Sequence, residues 1–191
     1  MSGQVCDWLR SYLTGRSSYV SLGQSRSATV NCTTGVPQGS VLGPLLFTIF
    51  TTPVGHLITS FGISYHQYAD DTQLYTSIDP ATDSDLSKLS QCASAVTRWH
   101  LENGLLLNPA KTEALMTGTR KQIAKLDKSV GVRVAGTTVA CSTSVRILGV
   151  TIDRYLTFHE HISNTVRSCN YHIRSLRHIR RLIDNETANT L

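Results

Sequence analysis

Apolar residues recur every three or four positions through Leu86, Leu89, Cys92, Ala93, Val96 and Trp99, which predicts a helix over about 84–101 with one buried face. The same spacing returns in Ile162, Val166, Cys169, Ile173, Leu176, Ile179 and Ile183, so a second amphipathic helix, with room for a break, is expected across 158–183. Its other face carries Arg167, Arg174, Arg177, His178, Arg180 and Arg181. Elsewhere the pattern shortens. Residues 63–68 and 72–78 are β-branched and aromatic and carry part of a period of two, which predicts a hairpin whose three turning residues are Ala69, Asp70 and Asp71. Residues 132–139 and 145–152 read as the two strands of a further hairpin. A helix over about 5–13, a Ser/Thr-rich strand pair across 19–33 and a helix from Val41 towards Leu57 complete the outline, an α+β chain. Asp79-Pro80 should break the strand before it, 77–87 should be a connector, and the polar end 184–190 should fray.

Composition narrows the class. The chain has 191 residues and 40% hydrophobic content, enough for one ordinary domain or two small subdomains, and its net charge of +5 favours anionic partners, of which nucleic acid is the commonest. The five cysteines show no Cys-x-x-Cys pair, so neither a disulfide framework nor a zinc site is indicated, and a reducing compartment is expected. The most apolar run, 41–50, is interrupted by Gly43 and Pro44 and is too short for a membrane span; no cationic-apolar signal opens the chain. A soluble protein of nucleus or cytoplasm is expected.

Three stretches carry candidate chemistry. Asp70 and Asp71 are paired hard-oxygen donors, suited to Mg²⁺, and two such ions about 4 Å apart clamp the oxygens of a phosphoryl transfer. The same residues also serve as plain turn chemistry. Upstream, Gly35-Val36-Pro37-Gln38-Gly39-Ser40 runs into an apolar helix, with Ser40 a candidate N-cap and Pro44 near the first turn. Gly39 permits close backbone approach, Gln38 offers a donor and an acceptor, and a helix start favours anions. Downstream, residues 103–113 read as a turn, a short buried strand over 105–107 and a second turn presenting Lys111, suited to a phosphate. Ser144–Asp153 looks like a strand with an internal glycine, hence a bulge or close backbone approach.

In this order, the blocks resemble the reverse transcriptase of non-LTR (LINE-type, jockey-like) retrotransposons over nearly the whole chain. Gly35–Pro44 is similar to the family's nucleotide- and template-contacting turn, Tyr68–Asp71 to its catalytic Tyr-X-Asp-Asp box, 107–113 to its lysine motif, and 147–153 to its primer-grip region. Trp8-Leu9-Arg10-Ser11-Tyr12-Leu13 with Arg16 resembles the segment preceding the glycine turn. The resemblance implies a polymerase palm, an antiparallel sheet with helices on one face, over 35–153, with partial fingers over 1–34 and the start of a helical thumb over 154–191. It also implies roles. Asp70 would be the main Mg²⁺ (or Mn²⁺) ligand with Asp71 beside it; Pro37, Gln38 and Gly39 would border the dNTP and template; Tyr68 would sit near the primer end; Lys111 would lie near the triphosphate as an acid for the leaving group. Arg167, Arg174 and Arg177 would meet the backbone of an RNA template paired with a DNA primer, or else form a merely solvated face.

One departure follows from the same resemblance. The family takes a further metal-binding aspartate from a strand preceding the Trp8 segment; these residues do not include it, and Asp7 is no substitute. An N-terminally truncated fragment, inactive alone and with a sheet edge exposed to pairing with other chains, is therefore expected. The alternatives are a non-catalytic nucleic-acid-binding module that keeps the fold, and an unrelated phosphotransferase that leaves the glycine and lysine blocks unexplained.

Overall fold

The computed structural model describes residues 3–79, 84–125, 131–180, 182–184 and 186–187. Pro80, Arg181 and the end of the polar tail, about which the sequence raised expectations, lie outside them. The chain divides into two compact units at Leu74/Tyr75.

In the first unit, α1 (Gln4–Leu13) is followed by β1 (Arg16–Ser18), β2 (Ser21–Leu22), β3 (Ser25–Arg26) and β4 (Val30–Cys32). β1 pairs antiparallel with β4 and β2 with β3, so the strand pair expected across 19–33 begins earlier, at Arg16, and is built in two short ladders. The next helix, α2 (Gly43–Ser60), begins two residues later than expected and ends three later. Its stripe of Thr51, Val54, Gly55 and Ile58 is buried, at the helical spacing that makes one face. Pro53 lies inside it, so the helix lacks the N–H that would reach the Ile49 carbonyl. Gly62, at φ +70, turns the chain out of the helix into β5 (Ser64–Tyr68), which packs on α2 and pairs with β6 (Asp71–Tyr75).

The second unit is organised around α3 (Ser84–Glu102), close to the range its apolar spacing predicts. Cys92, Ala93 and Val96 are buried, and α3 packs on β8 (Gly131–Val134), where Val132 and Val134 are buried in turn. Before β8 come β7 (Ala114–Leu115) and the short α4 (Arg120–Ile123), started by a capping box between Thr119 and Gln122. After it come β9 (Thr137–Ser142), β10 (Ser144–Ile147), β11 (Val150–Asp153) and α5 (His159–Ile179). β9 pairs antiparallel with β8 and parallel with β7, giving the order β7-β9-β8; β10 and β11 form their own ribbon.

The structure departs from the sequence expectations at four points. The residues expected to be two strands of one hairpin are two hairpins, because Ala135-Gly136 and Leu148-Gly149 each hold two consecutive positive φ angles, the signature of the tightest antiparallel turn. Gly149 is thus a turn residue, not a bulge within a strand. Residues 105–107 pair with no strand among the described residues, and Leu106 is 83% exposed rather than buried. Finally, the described strands form separate small sheets, one containing a parallel pair, instead of a single antiparallel palm sheet. The α+β class stands. No helix among the described residues is long and apolar enough to cross a membrane.

Candidate active site

The aspartate doublet stands where the hairpin turns, but the turn is shorter than the sequence suggests. Only Ala69 and Asp70 turn; Asp71 already opens β6. A two-residue connection makes Tyr68 and Asp71 the closing pair, so their side chains leave the ribbon on one face. Burial alternates along β5, where Tyr65 and Gln67 are half-buried, while in β6 Thr72, Gln73 and Leu74 are all half-buried; Tyr68, Asp70 and Asp71 are exposed. Ala69 holds φ at +52, a region that costs a residue with a Cβ about 1–2 kcal/mol. The carboxylates are therefore displayed on a strained tip.

Packing seats the first strand of the hairpin on α2. The Tyr65 ring lies so close to Gly55 that any Cβ there would collide with it. The chain leaves α2 at Ser60, and five residues on, Tyr65 of β5 meets the helix again at Gly55.

The glycine turn is held from behind. Ser40 is not the helix N-cap, a position occupied by Leu42, yet its Oγ accepts the Gly43 N–H at 3.1 Å and donates to the Pro37 carbonyl at 2.6 Å. Tyr12 of α1 donates to the same Oγ at 2.6 Å. Arg16 donates from Nε to the Leu13 carbonyl at 3.0 Å, and from Nη2 to the carbonyls of Thr34 and Gly35 at 3.3 and 2.6 Å. Gly39 has φ +78 with open space where a Cβ would stand, so backbone angle rather than crowding calls for glycine. Gln38 and Gly39 are exposed.

The other predicted site residues belong to the second unit. Lys111 is exposed at the end of a single 3-10 turn, Pro109–Lys111, capped by the Asn108 side chain, which accepts the Ala110 N–H at 3.0 Å. Arg167, Arg174 and Arg177 are exposed along α5, and no carboxylate pairs with them among the described residues. The 147–153 block supplies the end of β10, the turn and β11 of the β10–β11 hairpin. Sequence reasoning missed Asp153 as an anchor: its carboxylate accepts N–H groups of Tyr155 and Phe158 at 2.9 and 2.8 Å and the Thr157 hydroxyl at 3.0 Å. Desolvation pushes its pKa up, but the bonds from Thr157, Tyr155 and Phe158 outweigh this and hold it below the ordinary aspartate value. These bonds span a loop in which Leu156 and Phe158 both take positive φ.

As metal ligands, Asp70 and Asp71 have the right chemistry, hard and exposed, but no group of three or more His, Cys, Asp or Glu residues gathers among the described residues. The donors fit a hard divalent cation with its remaining positions left to water, to substrate oxygens or to donors outside this set.

The family model for reverse transcriptase (RNA-dependent DNA polymerase) matches residues 2–152, and the chain belongs to that family. The chain is 31% identical to the RNA-directed DNA polymerase from mobile element jockey of Drosophila funebris over 88% of its own length and 18% of the relative's. It is 30% identical to the probable RNA-directed DNA polymerase from transposon BS of Drosophila melanogaster over 88% of this chain and 19% of that one. The jockey polymerase of Drosophila melanogaster is 32% identical over 82% of this chain and 17% of its own length. The chain thus spans less than a fifth of these curated relatives. No solved structure matches it.

Proposed function

We propose that this chain is the palm-centred part of a non-LTR retrotransposon reverse transcriptase, contributing to Mg²⁺-dependent addition of dNTPs to a primer 3′-hydroxyl on an RNA template. The observation that carries the proposal is the exposed Asp70-Asp71 doublet on a tight hairpin whose first strand packs on α2, in a chain whose residues 2–152 match the reverse transcriptase family. Residues 1–34 correspond to partial fingers, 35–153 to the palm and 154–191 to the start of the thumb. Asp70 is the principal metal ligand and Asp71 its neighbour. Bound there, a divalent cation supplies charge stabilisation for the α-phosphate and the attacking oxygen. Pro37, Gln38 and Gly39 border the base and sugar, and Tyr68, on the exposed face with Asp71, borders the primer end. Lys111 offers a proton to departing pyrophosphate, and Arg167, Arg174 and Arg177 meet backbone phosphates.

Two carboxylates hold two cations poorly. A polypeptide of these 191 residues alone is therefore expected to bind Mn²⁺ saturably but weakly, and to extend a primer negligibly. Water-proton relaxation in a Mn²⁺ titration reads the first expectation, with Asp70→Ala as the control that should abolish saturation. If Asp70→Ala titrates like the wild type, the metal site is refuted, and template binding indifferent to both metal and Asp70 identifies a non-catalytic binding module instead.

A further inference from the structure

The glycine turn is ordered by side chains that the proposed chemistry does not use. The Ser40 hydroxyl has one proton and two lone pairs, and all three are spent: the proton goes to Pro37, and the lone pairs accept Tyr12 and the Gly43 amide. Gly43 leaves room for this arrangement, since a Cβ there would stand 3.0 Å from Ser40 Oγ and 3.3 Å from the Pro37 carbonyl. A few residues earlier, Arg16 bridges the end of α1 to the carbonyls that open the turn. Among the described residues no carboxylate pairs with Arg16, so its guanidinium is committed to backbone oxygens alone. In front of this brace, the Gln38 side chain is exposed and makes no hydrogen bond among the described residues. A turn fixed behind and free in front is the arrangement that spares a binding site the ordering entropy of its contact residues.

We propose that Tyr12, Arg16 and Ser40 are positioning residues that preset the Pro37–Gly39 turn, so that Gln38 and Gly39 meet a deoxynucleoside triphosphate without first being ordered. The nucleotide part of this inference rests on the reading of the turn given above; the brace does not. None of the three touches the reacting atoms. Their removal should weaken nucleotide capture while leaving cation binding at Asp70 as it was.

The test uses the 191-residue protein, with amide exchange at Ser40 and Gly43 followed by NMR and binding of a fluorescently labelled dGTP measured with Mn²⁺. Losing one neutral hydrogen bond should speed exchange by roughly fivefold in Tyr12→Phe and weaken nucleotide binding by a similar factor, with the Mn²⁺ titration unchanged. Ser40→Ala should do more, because it removes three bonds at once. Ser40→Thr, which keeps the hydroxyl, should restore both readouts, and Arg16→Lys should not replace the guanidinium fork. Circular dichroism confirms that each variant is folded, and the rescue by threonine separates local from global damage. Unchanged exchange in Tyr12→Phe overturns the brace. Altered exchange with wild-type nucleotide affinity overturns its role in binding alone. A wild-type protein that binds no nucleotide overturns both that role and the reading of the turn.

Discussion

In α3, Cys92, Ala93 and Val96 are at most 5% exposed, whereas in α5 Ile162, Val166, Ile173, Leu176 and Ile179 remain 41–58% exposed. Both helices carry an apolar stripe at the same spacing, and both belong to the second unit. What separates them is the surface each meets. α3 lies along β8, whose Val132 and Val134 point into it, and the Ser90 hydroxyl accepts the Arg133 N–H at 3.3 Å. α5 touches β11, and from Asn164 to Arg180 every residue is exposed. A periodic stripe specifies which face of a helix is apolar; whether that face stabilises the fold depends on a partner that the stripe does not encode.

The sharpest way to break the comparison is to place a charge on each stripe. Val96→Asp buries an unpaired carboxylate against β8 and is expected to destabilise the second unit by about 3 kcal/mol or more, enough to unfold a marginal domain. Ile173→Asp, on an exposed face, is expected to stay within about 0.5 kcal/mol. Urea denaturation followed by circular dichroism measures both, and equal effects would show that α5 is covered in solution.

The arginines of α5 give the next largest effect. If they meet phosphate, Arg174→Glu with Arg177→Glu should weaken binding of an RNA–DNA hybrid by about tenfold at moderate salt. The log–log salt slope should also fall by roughly one for each arginine that contacts a phosphate. Fluorescence anisotropy across a salt series reads both quantities. An unchanged slope would reduce these arginines to ordinary solvated surface.

The same contrast explains what the sequence could and could not reveal. The limits of α3 were legible because Leu86 to Trp99 repeat a strong local signal over several turns. Asp70 and Asp71 were placed at a hairpin tip from their β-rich flanks, although the turn proved one residue shorter. Ala135-Gly136 and Leu148-Gly149 were misread, since a glycine inside an apolar run fits either a bulge or a two-residue turn until the strand partner is known. A glycine at the second of two turning positions was the available clue. Leu105–Leu107 misled because an apolar triplet carries no information on pairing, and the Tyr12–Ser40 bond joins residues 28 apart that follow no common period.

The finest test concerns how α5 is attached. Its first turn has no side-chain cap of its own, and Phe158 at the N-cap position holds φ +57; the entry loop is held instead by Asp153. Because these bonds lower the folded-state pKa, the carboxylate favours the folded state fully above its unfolded value, roughly 3.9, and that contribution disappears as pH falls through the lower folded value. Asp153→Asn keeps an acceptor oxygen but removes the titration. Urea midpoints taken from pH 5 down to pH 3 should therefore fall more steeply for the wild type than for Asp153→Asn, with Asp184, also lowered by its bonds to Thr187, contributing equally to both. Parallel slopes would mean that the loop is held without the charge, and that Leu156 and Phe158 keep their positive φ angles for some other reason.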